Sequence, residues 1–170
     1  MESFPQRDWI VVSPSPLSAN DLTSWATSPR CGAVVTFCGT VRATSGEHQD
    51  VTALEYETDA SLAERAIKEI VIAARERRST IEAIAIHHRV RRVELTDVAV
   101  VVAVSSAHRG EAFEAAQYCI DTLKDCVPVW KREVWPGGSA WSRDARPLQR
   151  VSPGVSAKPV ARDESKGATS

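Results

Sequence analysis

The feature that most constrains the fold is an unbroken run of seven apolar residues, Val98 to Val104, most of them β-branched. A short continuous run of this kind predicts a strand that is buried on both faces. The run is far shorter than the roughly 18 to 20 apolar residues that a membrane-spanning helix requires. We therefore expect residues 98–104 to form a strand in the core of the protein.

The segments around this run predict an alternation of strands and helices. Ser61 and Glu64 stand at capping-box spacing before an amphipathic helix, and Pro128 ends a second helix whose inner face includes Phe113. The predicted strands are 9–12, 33–37, 51–57, 81–86, 98–104 and 129–134, the predicted helices are 62–78 and 110–127, and a charged turn lies at 89–97. Helices placed between pairs of strands indicate the α+β class.

Composition limits the class of protein. The chain has 170 residues, of which 43% are hydrophobic, enough for one sizeable core. Lys and Arg total 21 and Asp and Glu total 22, so the net charge of -1 disfavours a protein that binds nucleic acid over a broad basic surface. The residues from Met1 to Pro5 lack the pattern of a secretory signal. We expect a cytoplasmic protein with a single catalytic domain at 9–146, a flexible N-terminus at 1–8 and a flexible tail at 147–170.

Four cysteines have no metal-binding spacing. Cys31, Cys38, Cys119 and Cys126 form no CxxC pair, and no histidine stands at a zinc-finger distance from them. Free cysteine is commonly a small buried hydrophobe. We predict that these four residues are small buried hydrophobes and not metal ligands or redox groups.

Potential cations surround the second helix. His108 and Arg109 precede and begin it, where helix N–H groups together with a guanidinium and an imidazole could bind an anion. Arg42 follows a buried strand and is a second candidate for binding an anion. Lys124 and Lys131 lie near the end of the helix and in the strand after it, and a lysine beside apolar surface can support proton transfer or covalent chemistry. Each of these residues, read alone, is also compatible with a solvated side chain, and for Arg42, Lys124 and Lys131 the solvated reading is favoured.

Several motifs together resemble the large, catalytic subunit of molybdopterin synthase, the MoaE family. They are Gly32 to Arg42, Leu54 to Glu57, His88-Arg89, Ser106 to Arg109 and Leu123 to Glu133, in family order across about residues 9–143. The resemblance implies an α/β-hammerhead fold with two main helices on a mixed or antiparallel sheet. It also implies a homodimer that binds two copies of a small ubiquitin-like sulfur carrier to form a heterotetramer.

The resemblance further implies a reaction and a set of residues. Sulfur from the carrier's C-terminal Gly-Gly thiocarboxylate would pass to cyclic pyranopterin monophosphate (precursor Z) to form the dithiolene of molybdopterin, without a metal or other cofactor. Lys124 would act as the main general acid/base or as a transient acyl acceptor, and Lys131 would stabilise developing negative charge or aid proton transfer. The substrate-binding stretches correspond to Thr40, Val41, Arg42, His108, Arg109, Lys124, Lys131, Arg132 and Glu133.

The chain departs from the family at three positions. Arg91 and Thr96 replace glycines that relatives usually carry in the turn after His88-Arg89, so we expect a turn of different shape. Thr40 stands where relatives often have lysine, so the pocket is expected to lack one cation.

Two alternatives to the synthase remain open. One is a sulfurtransferase that carries a persulfide on Cys126 or Cys38. The other is a catalytically silent paralogue that only binds the carrier or a nucleotide-like ligand. Retention of both lysines favours the synthase over the silent paralogue.

Overall fold

The structure is a computed structural model that describes residues 6–45, 48–142 and 149–151. Its described elements form two four-stranded sheets and three helices. In chain order they are β1 (Arg7–Ser13), α1 (Ala19–Ala26), β2 (Ala33–Thr40), β3 (Ala53–Glu57), α2 (Ala60–Arg77), β4 (Ile81–Arg89), β5 (Arg91–Glu94), β6 (Val98–Ser106), α3 (Arg109–Cys126), β7 (Trp130–Trp135) and β8 (Gly138–Trp141).

The first sheet is built around β6. Its strand order is β1-β4-β6-β2, in which β1 runs parallel to β4 and the other neighbours are antiparallel. Every residue of β6 after Val98 is buried, because helices cover both faces of the sheet. The prediction of a strand buried on both faces is confirmed.

The two faces of the first sheet have separate cores. Val100, Val102 and Val104 pack into the core formed with α2 and α3. Val101 and Ala103 point to the other face, where they pack with residues of α1. Successive residues of β6 point into two different apolar cores, one on each face of the sheet. The strand therefore needs an apolar side chain at every position.

The second sheet is antiparallel and has the strand order β5-β3-β7-β8. In the pairing of β3 with β7, Tyr56 lies opposite Lys131. A small core of Val41, Val51, Leu54, Val93 and Ala99 lies at this sheet. The sheet thus places β7, which carries three of the candidate site residues, beside β3.

The α+β class and the two main helices are confirmed, but three elements were not predicted. Helix α1 has eight residues and buries only Leu22 and Ala26, too few to produce a clear apolar periodicity. Strand β8 has four residues, and β5 lies inside the segment that was predicted as a charged turn. Short elements of this kind depend on the sheet beside them more than on their own sequence.

Two local predictions about the main helices were wrong. The cap of α2 is Asp59, whose side chain accepts the backbone N–H of Leu62 at 2.9 Å; Ser61 lies within the first turn instead. Phe113 is 62% exposed, because the inner face of α3 is formed by smaller residues. Those residues include Ala112, Ala115, Ala116 and Cys119.

Arg91 and Thr96, the two positions at which relatives were expected to carry glycine, both have positive φ. They have φ of 64° and 71°, the left-handed region that glycine ordinarily supplies. Tertiary hydrogen bonds hold the conformation at Thr96, since the Thr96 N–H donates to the Val41 carbonyl at 2.8 Å and the Val41 N–H donates to the Asp97 carbonyl at 3.0 Å. Two residues with side chains thus adopt backbone conformations that glycine ordinarily supplies.

The termini are described only in part. Strand β1 begins at Arg7, and near the other end the Gln149 N–H donates to the Asp125 carbonyl at 3.0 Å while Val151 packs against the main core. The predicted flexible ends otherwise lie outside the described residues. Among the described helices, none has the length and apolar character to cross a membrane.

Candidate functional site

A cavity of about 680 Å³ lies where the end of α3 meets β3, β4 and β7. This volume is within the usual range for small-molecule sites. The residues that line it are Tyr56, His88, Val100, Ile120, Asp121, Leu123, Lys124, Asp125, Val127, Val129 and Lys131. Both lysines singled out in the sequence therefore border one cavity.

Lys124 reaches the cavity from the last turn of α3. Its neighbour Leu123 is buried, whereas Lys124 itself is exposed. The helix ends at Cys126 because Pro128 follows, and a cation in the last turn complements the helix dipole. The side chains of Asp121 and Asp125 line the same cavity, so Lys124 stands in a region of mixed charge.

Lys131 reaches the cavity from β7 and is held by two other side chains. Its Nζ donates to Ser45 Oγ at 3.3 Å and lies 3.6 Å from Glu133 Oε1. The Ser45 hydroxyl in turn donates a short hydrogen bond to Glu133 Oε1. Lys131 and Glu133 are two residues apart on one strand, so their side chains share a face of the sheet.

Tyr56 and His88 form an aromatic wall of the cavity that the sequence analysis had not assigned to the site. Their rings meet edge to face with centroids 5.1 Å apart, and His88 Nδ1 is 2.8 Å from the Arg89 carbonyl oxygen. Burial raises the pKa of Tyr56 to about 12. Burial also lowers the pKa of His88, an effect that outweighs the opposing hydrogen bond to Arg89.

Both residues lie inside the motifs quoted for the family resemblance. Their position in those motifs was the sequence feature that could have identified Tyr56 and His88 as site residues. Ser45 had no such signal, because its contacts with Lys131 and Glu133 join residues 86 and 88 positions apart.

The residues at the end of β2 lie on a segment that reaches this site. Thr40 and Arg42 are exposed, whereas Val41 is 2% exposed and packs in the small core of the second sheet. Ser45, three residues after Arg42, contacts Lys131. The segment that carries Arg42 is thus anchored next to one of the two lysines.

His108 and Arg109 lie at the opposite end of α3 from Lys124. The helix has 18 residues, so at about 1.5 Å per residue its ends are roughly 25 Å apart. His108 is the N-cap residue and makes no side-chain capping hydrogen bond. The first turn also contains Glu111, which accepts a hydrogen bond from Ser106 Oγ at 2.8 Å. One chain therefore does not bring the two clusters of candidate residues together.

Arg132 faces away from Lys131. Its guanidinium donates to Ser139 Oγ at 2.5 Å and lies 3.6 Å from Glu55 Oε2. Successive residues of a strand point to opposite faces, which places Arg132 on the other side of the second sheet from the cavity.

The cysteines differ in exposure. Cys119 is fully buried, and burial raises its pKa to about 12. The pKa of Cys126 is raised by burial and by the negative charges of Asp125 and Glu69. Because a thiolate is the reactive form of cysteine, this environment disfavours a persulfide on Cys126. Cys38 is exposed on β2, and Cys31 and Cys126 are only partly buried, so the prediction of buried cysteines is confirmed for Cys119 alone.

No metal site is apparent in the part of the chain that the structure describes: it holds no group of three or more His, Cys, Asp or Glu residues arranged to bind an ion. The chemistry that the cavity offers is that of two primary amines, a half-buried phenol and a buried imidazole. These groups can bind anions and transfer protons.

Comparison with known proteins gives a consistent family of relatives. The model of the MoaE protein family matches residues 12–126. The molybdopterin synthase catalytic subunit of Taeniopygia guttata is 40% identical over 138 residues, which cover 81% of this chain and 88% of that protein. The catalytic subunit of Halalkalibacterium halodurans is 39% identical and covers 79% of this chain and 85% of the relative.

Solved structures show the same fold. Molybdopterin synthase from Staphylococcus aureus superimposes with a TM-score of 0.71 at 34% identity and covers 77% of this chain and 94% of that chain. A protein–protein complex of subunits 1 and 2 of molybdopterin-converting factor from Helicobacter pylori gives a TM-score of 0.66 at 17% identity, over 83% of this chain and 94% of that chain. At that lower identity the likeness concerns the fold.

Proposed function

The chain belongs to the MoaE protein family, and from this membership we propose that it is the catalytic subunit of a molybdopterin synthase. The observation that carries the proposal is the position of Lys124 and Lys131 on one cavity of about 680 Å³. Two amines on a cavity of small-molecule size suit a reaction that handles anionic groups and moves protons.

The proposed reaction is the transfer of sulfur to cyclic pyranopterin monophosphate. The donor is the C-terminal glycine thiocarboxylate of a small ubiquitin-like carrier, and two transfers form the dithiolene of molybdopterin. Both the phosphate of the acceptor and the thiocarboxylate are anionic, so the lysines and Arg42 favour their approach. The cytoplasmic location expected from the sequence is part of the same proposal.

The lysines have different proposed roles. Lys124, on the exposed rim at the end of α3, acts as general acid/base or as transient acyl acceptor for the terminal glycine of the carrier. Lys131, held by Ser45 and Glu133, stabilises the negative charge that develops during transfer. The Tyr56 phenol remains protonated because its pKa is about 12, so it can donate a hydrogen bond within the cavity.

A homodimer would complete the substrate site. His108 and Arg109 stand roughly 25 Å from the Lys124 end of α3, which is too far for one substrate to contact both ends. We propose that a second copy supplies His108 and Arg109 to the cavity, where they bind phosphate or carboxylate. Two carriers on such a dimer form the proposed heterotetramer.

Turnover of purified protein tests the reaction. The assay contains thiocarboxylated carrier and precursor Z, and it measures dithiolene product for the unsubstituted protein, Lys124→Ala, Lys131→Ala and Cys126→Ser. We expect product from the unsubstituted protein and from Cys126→Ser, little from Lys131→Ala and least from Lys124→Ala. Loss with Cys126→Ser alone would indicate a persulfide enzyme, and no product from the unsubstituted protein with carrier binding intact would indicate a silent paralogue.

Mixed dimers test the shared site. Lys124→Ala and Arg109→Ala chains are each expected to be inactive as homodimers. When they are co-expressed, the mixed dimer contains one cavity with both residues intact, so part of the activity should return. No recovery in a confirmed mixed dimer would contradict the contribution of Arg109 by a second copy.

A further inference from the structure

The hydroxyl of Ser45 joins two charged groups of β7. It accepts a hydrogen bond from Lys131 Nζ at 3.3 Å and donates one to Glu133 Oε1. Nζ also lies 3.6 Å from that same carboxylate oxygen. The three side chains therefore form a closed cluster in which each contacts the other two.

Of the three side chains in the cluster, Lys131 is the most exposed and is the one that lines the cavity. The side chain of Glu133 is 6% exposed and that of Lys131 is 28% exposed, while Ser45 is 8% exposed. A buried carboxylate repels an anionic substrate and gains its stabilisation from a nearby cation and hydrogen-bond donor. Glu133 is thus placed to act on Lys131 and is poorly placed to bind the substrate.

We propose that Ser45 is a positioning residue for Lys131, which it links to Glu133 so that the ammonium is held at the cavity wall. The inference rests on the proposed function of the lysine site. A flexible lysine side chain loses conformational freedom when it is fixed, and a group already fixed before reaction stabilises developing charge more effectively than a mobile one. Both hydrogen bonds of the hydroxyl are needed for this role.

The segment that carries Ser45 is attached to β7 at a second point. Ser45 and His48 exchange backbone hydrogen bonds of 3.0 Å, and the His48 ring stacks on Trp135 with centroids 3.7 Å apart. The Val51 N–H also donates to the Ala43 carbonyl at 2.9 Å. The backbone hydrogen bonds of Ala43, Ser45 and His48 do not involve the imidazole ring, so they would still hold the Ser45 backbone in place if the stacking were lost.

The stacking of His48 provides a matched control. If Ser45 served only to attach this segment to β7, removal of the stacking ring would affect turnover as strongly as removal of the hydroxyl. If Ser45 positions Lys131, only the hydroxyl matters. Ser45→Ala removes the hydroxyl, Ser45→Thr retains it, and His48→Ala weakens the attachment without changing any group that contacts the lysine.

Steady-state kinetics with thiocarboxylated carrier and precursor Z test the proposal. We expect Ser45→Ala to lower kcat and kcat/KM together by about 10-fold or more, because displacing a catalytic group by about 1 Å can cost up to about 100-fold. Ser45→Thr should recover most of kcat, and His48→Ala should stay within about 2-fold of the unsubstituted protein. Thermal unfolding and carrier binding of each variant establish that it is folded.

A double-mutant cycle separates positioning from a general structural effect. In a Lys131→Ala background, Ser45→Ala should change the residual rate by less than about 2-fold, because the group that it positions is gone. An undiminished kcat in Ser45→Ala, an equal loss in His48→Ala, or full additivity with Lys131→Ala would each overturn the inference. Absence of product from the unsubstituted protein would instead contradict the proposed function.

Discussion

The backbone N–H of Thr96 donates to the carbonyl oxygen of Val41 at 2.8 Å while Thr96 itself has a φ of 71°. A β-branched residue in the left-handed region is strained, so this tertiary hydrogen bond opposes the intrinsic preference of the residue. The contact joins the turn after β5 to the residue that follows β2. The end of β2, where Arg42 begins the segment leading to Ser45, is therefore supported by a strained turn.

Relief of this strain should stabilise the protein. Thr96→Gly is expected to raise the free energy of unfolding by about 0.5 to 1 kcal/mol, because left-handed backbone costs roughly 1 to 2 kcal/mol for a residue with a side chain and the added freedom of glycine offsets part of that gain. Urea unfolding measures the change. Thr44→Gly is the control, since Thr44 is also exposed but does not have a positive φ, and it should be neutral or destabilising.

The cap of α2 predicts a contrast between two neighbouring residues. Asp59→Ala should lower the free energy of unfolding by about 1 kcal/mol, because it removes the acceptor of the Leu62 N–H. Ser61→Ala should change it by less than about 0.5 kcal/mol, since alanine is favourable inside a helix. Chemical denaturation of both variants checks the prediction. A larger decrease in the free energy of unfolding for Ser61→Ala than for Asp59→Ala would show that Ser61 caps the helix, as the sequence had predicted.

Gly39 is predicted to be required for the close approach of β2 and β6. A Cβ at this position would lie 2.6 Å from Val100 Cγ1, and Val100 lines the cavity. Gly39→Ala should destabilise the protein by about 1 to 3 kcal/mol, the usual cost of overpacking, and should reduce turnover by displacing the cavity wall.

Gly110→Ala is the control for this substitution. A Cβ there meets no atom within 4 Å, and Gly110 lies in the first turn of α3. Alanine at this position should stabilise the protein by about 0.5 kcal/mol. Equal unfolding midpoints for the Gly39 and Gly110 variants would contradict the proposed close contact.

Stability should fall as the pH is lowered from 7.5 to 5.5. His87 is buried with its ring 4.4 Å from the ring of Trp9, and burial lowers its pKa below the ordinary value of 6.5. Below about pH 6.5 the unfolded chain therefore binds a proton that the folded protein does not, so protonation favours unfolding. The loss ends once the pH falls below the pKa of the folded state.

Replacement of His87 tests this pH dependence. In His87→Leu the decrease in the free energy of unfolding between pH 7.5 and 5.5 should be smaller than in the unsubstituted protein. It should not vanish, because burial also lowers the pKa of His88. Denaturant unfolding at a series of pH values measures both curves, and identical slopes would show that His87 does not contribute.

The local pattern of the chain determined its principal elements. The apolar run at β6 and the amphipathic segments at α2 and α3 could be recognised from the sequence. The spacing of apolar residues along each segment shows which of its faces is buried. The two lysines were recognised from motifs, and the structure places both on one cavity. Short elements escaped recognition, since α1 buries only Leu22 and Ala26.

Tertiary structure alone decided how the site is assembled. The Ser45 contacts with Lys131 and Glu133 span 86 and 88 positions, and a hydroxyl in a polar loop has no local property that reveals such partners. The left-handed φ of Thr96 is likewise held by its hydrogen bond to Val41 and opposes local preference. The separation of Arg109 from Lys124, by contrast, already followed from the helix predicted at 110–127, because residues at opposite ends of a rigid helix remain apart.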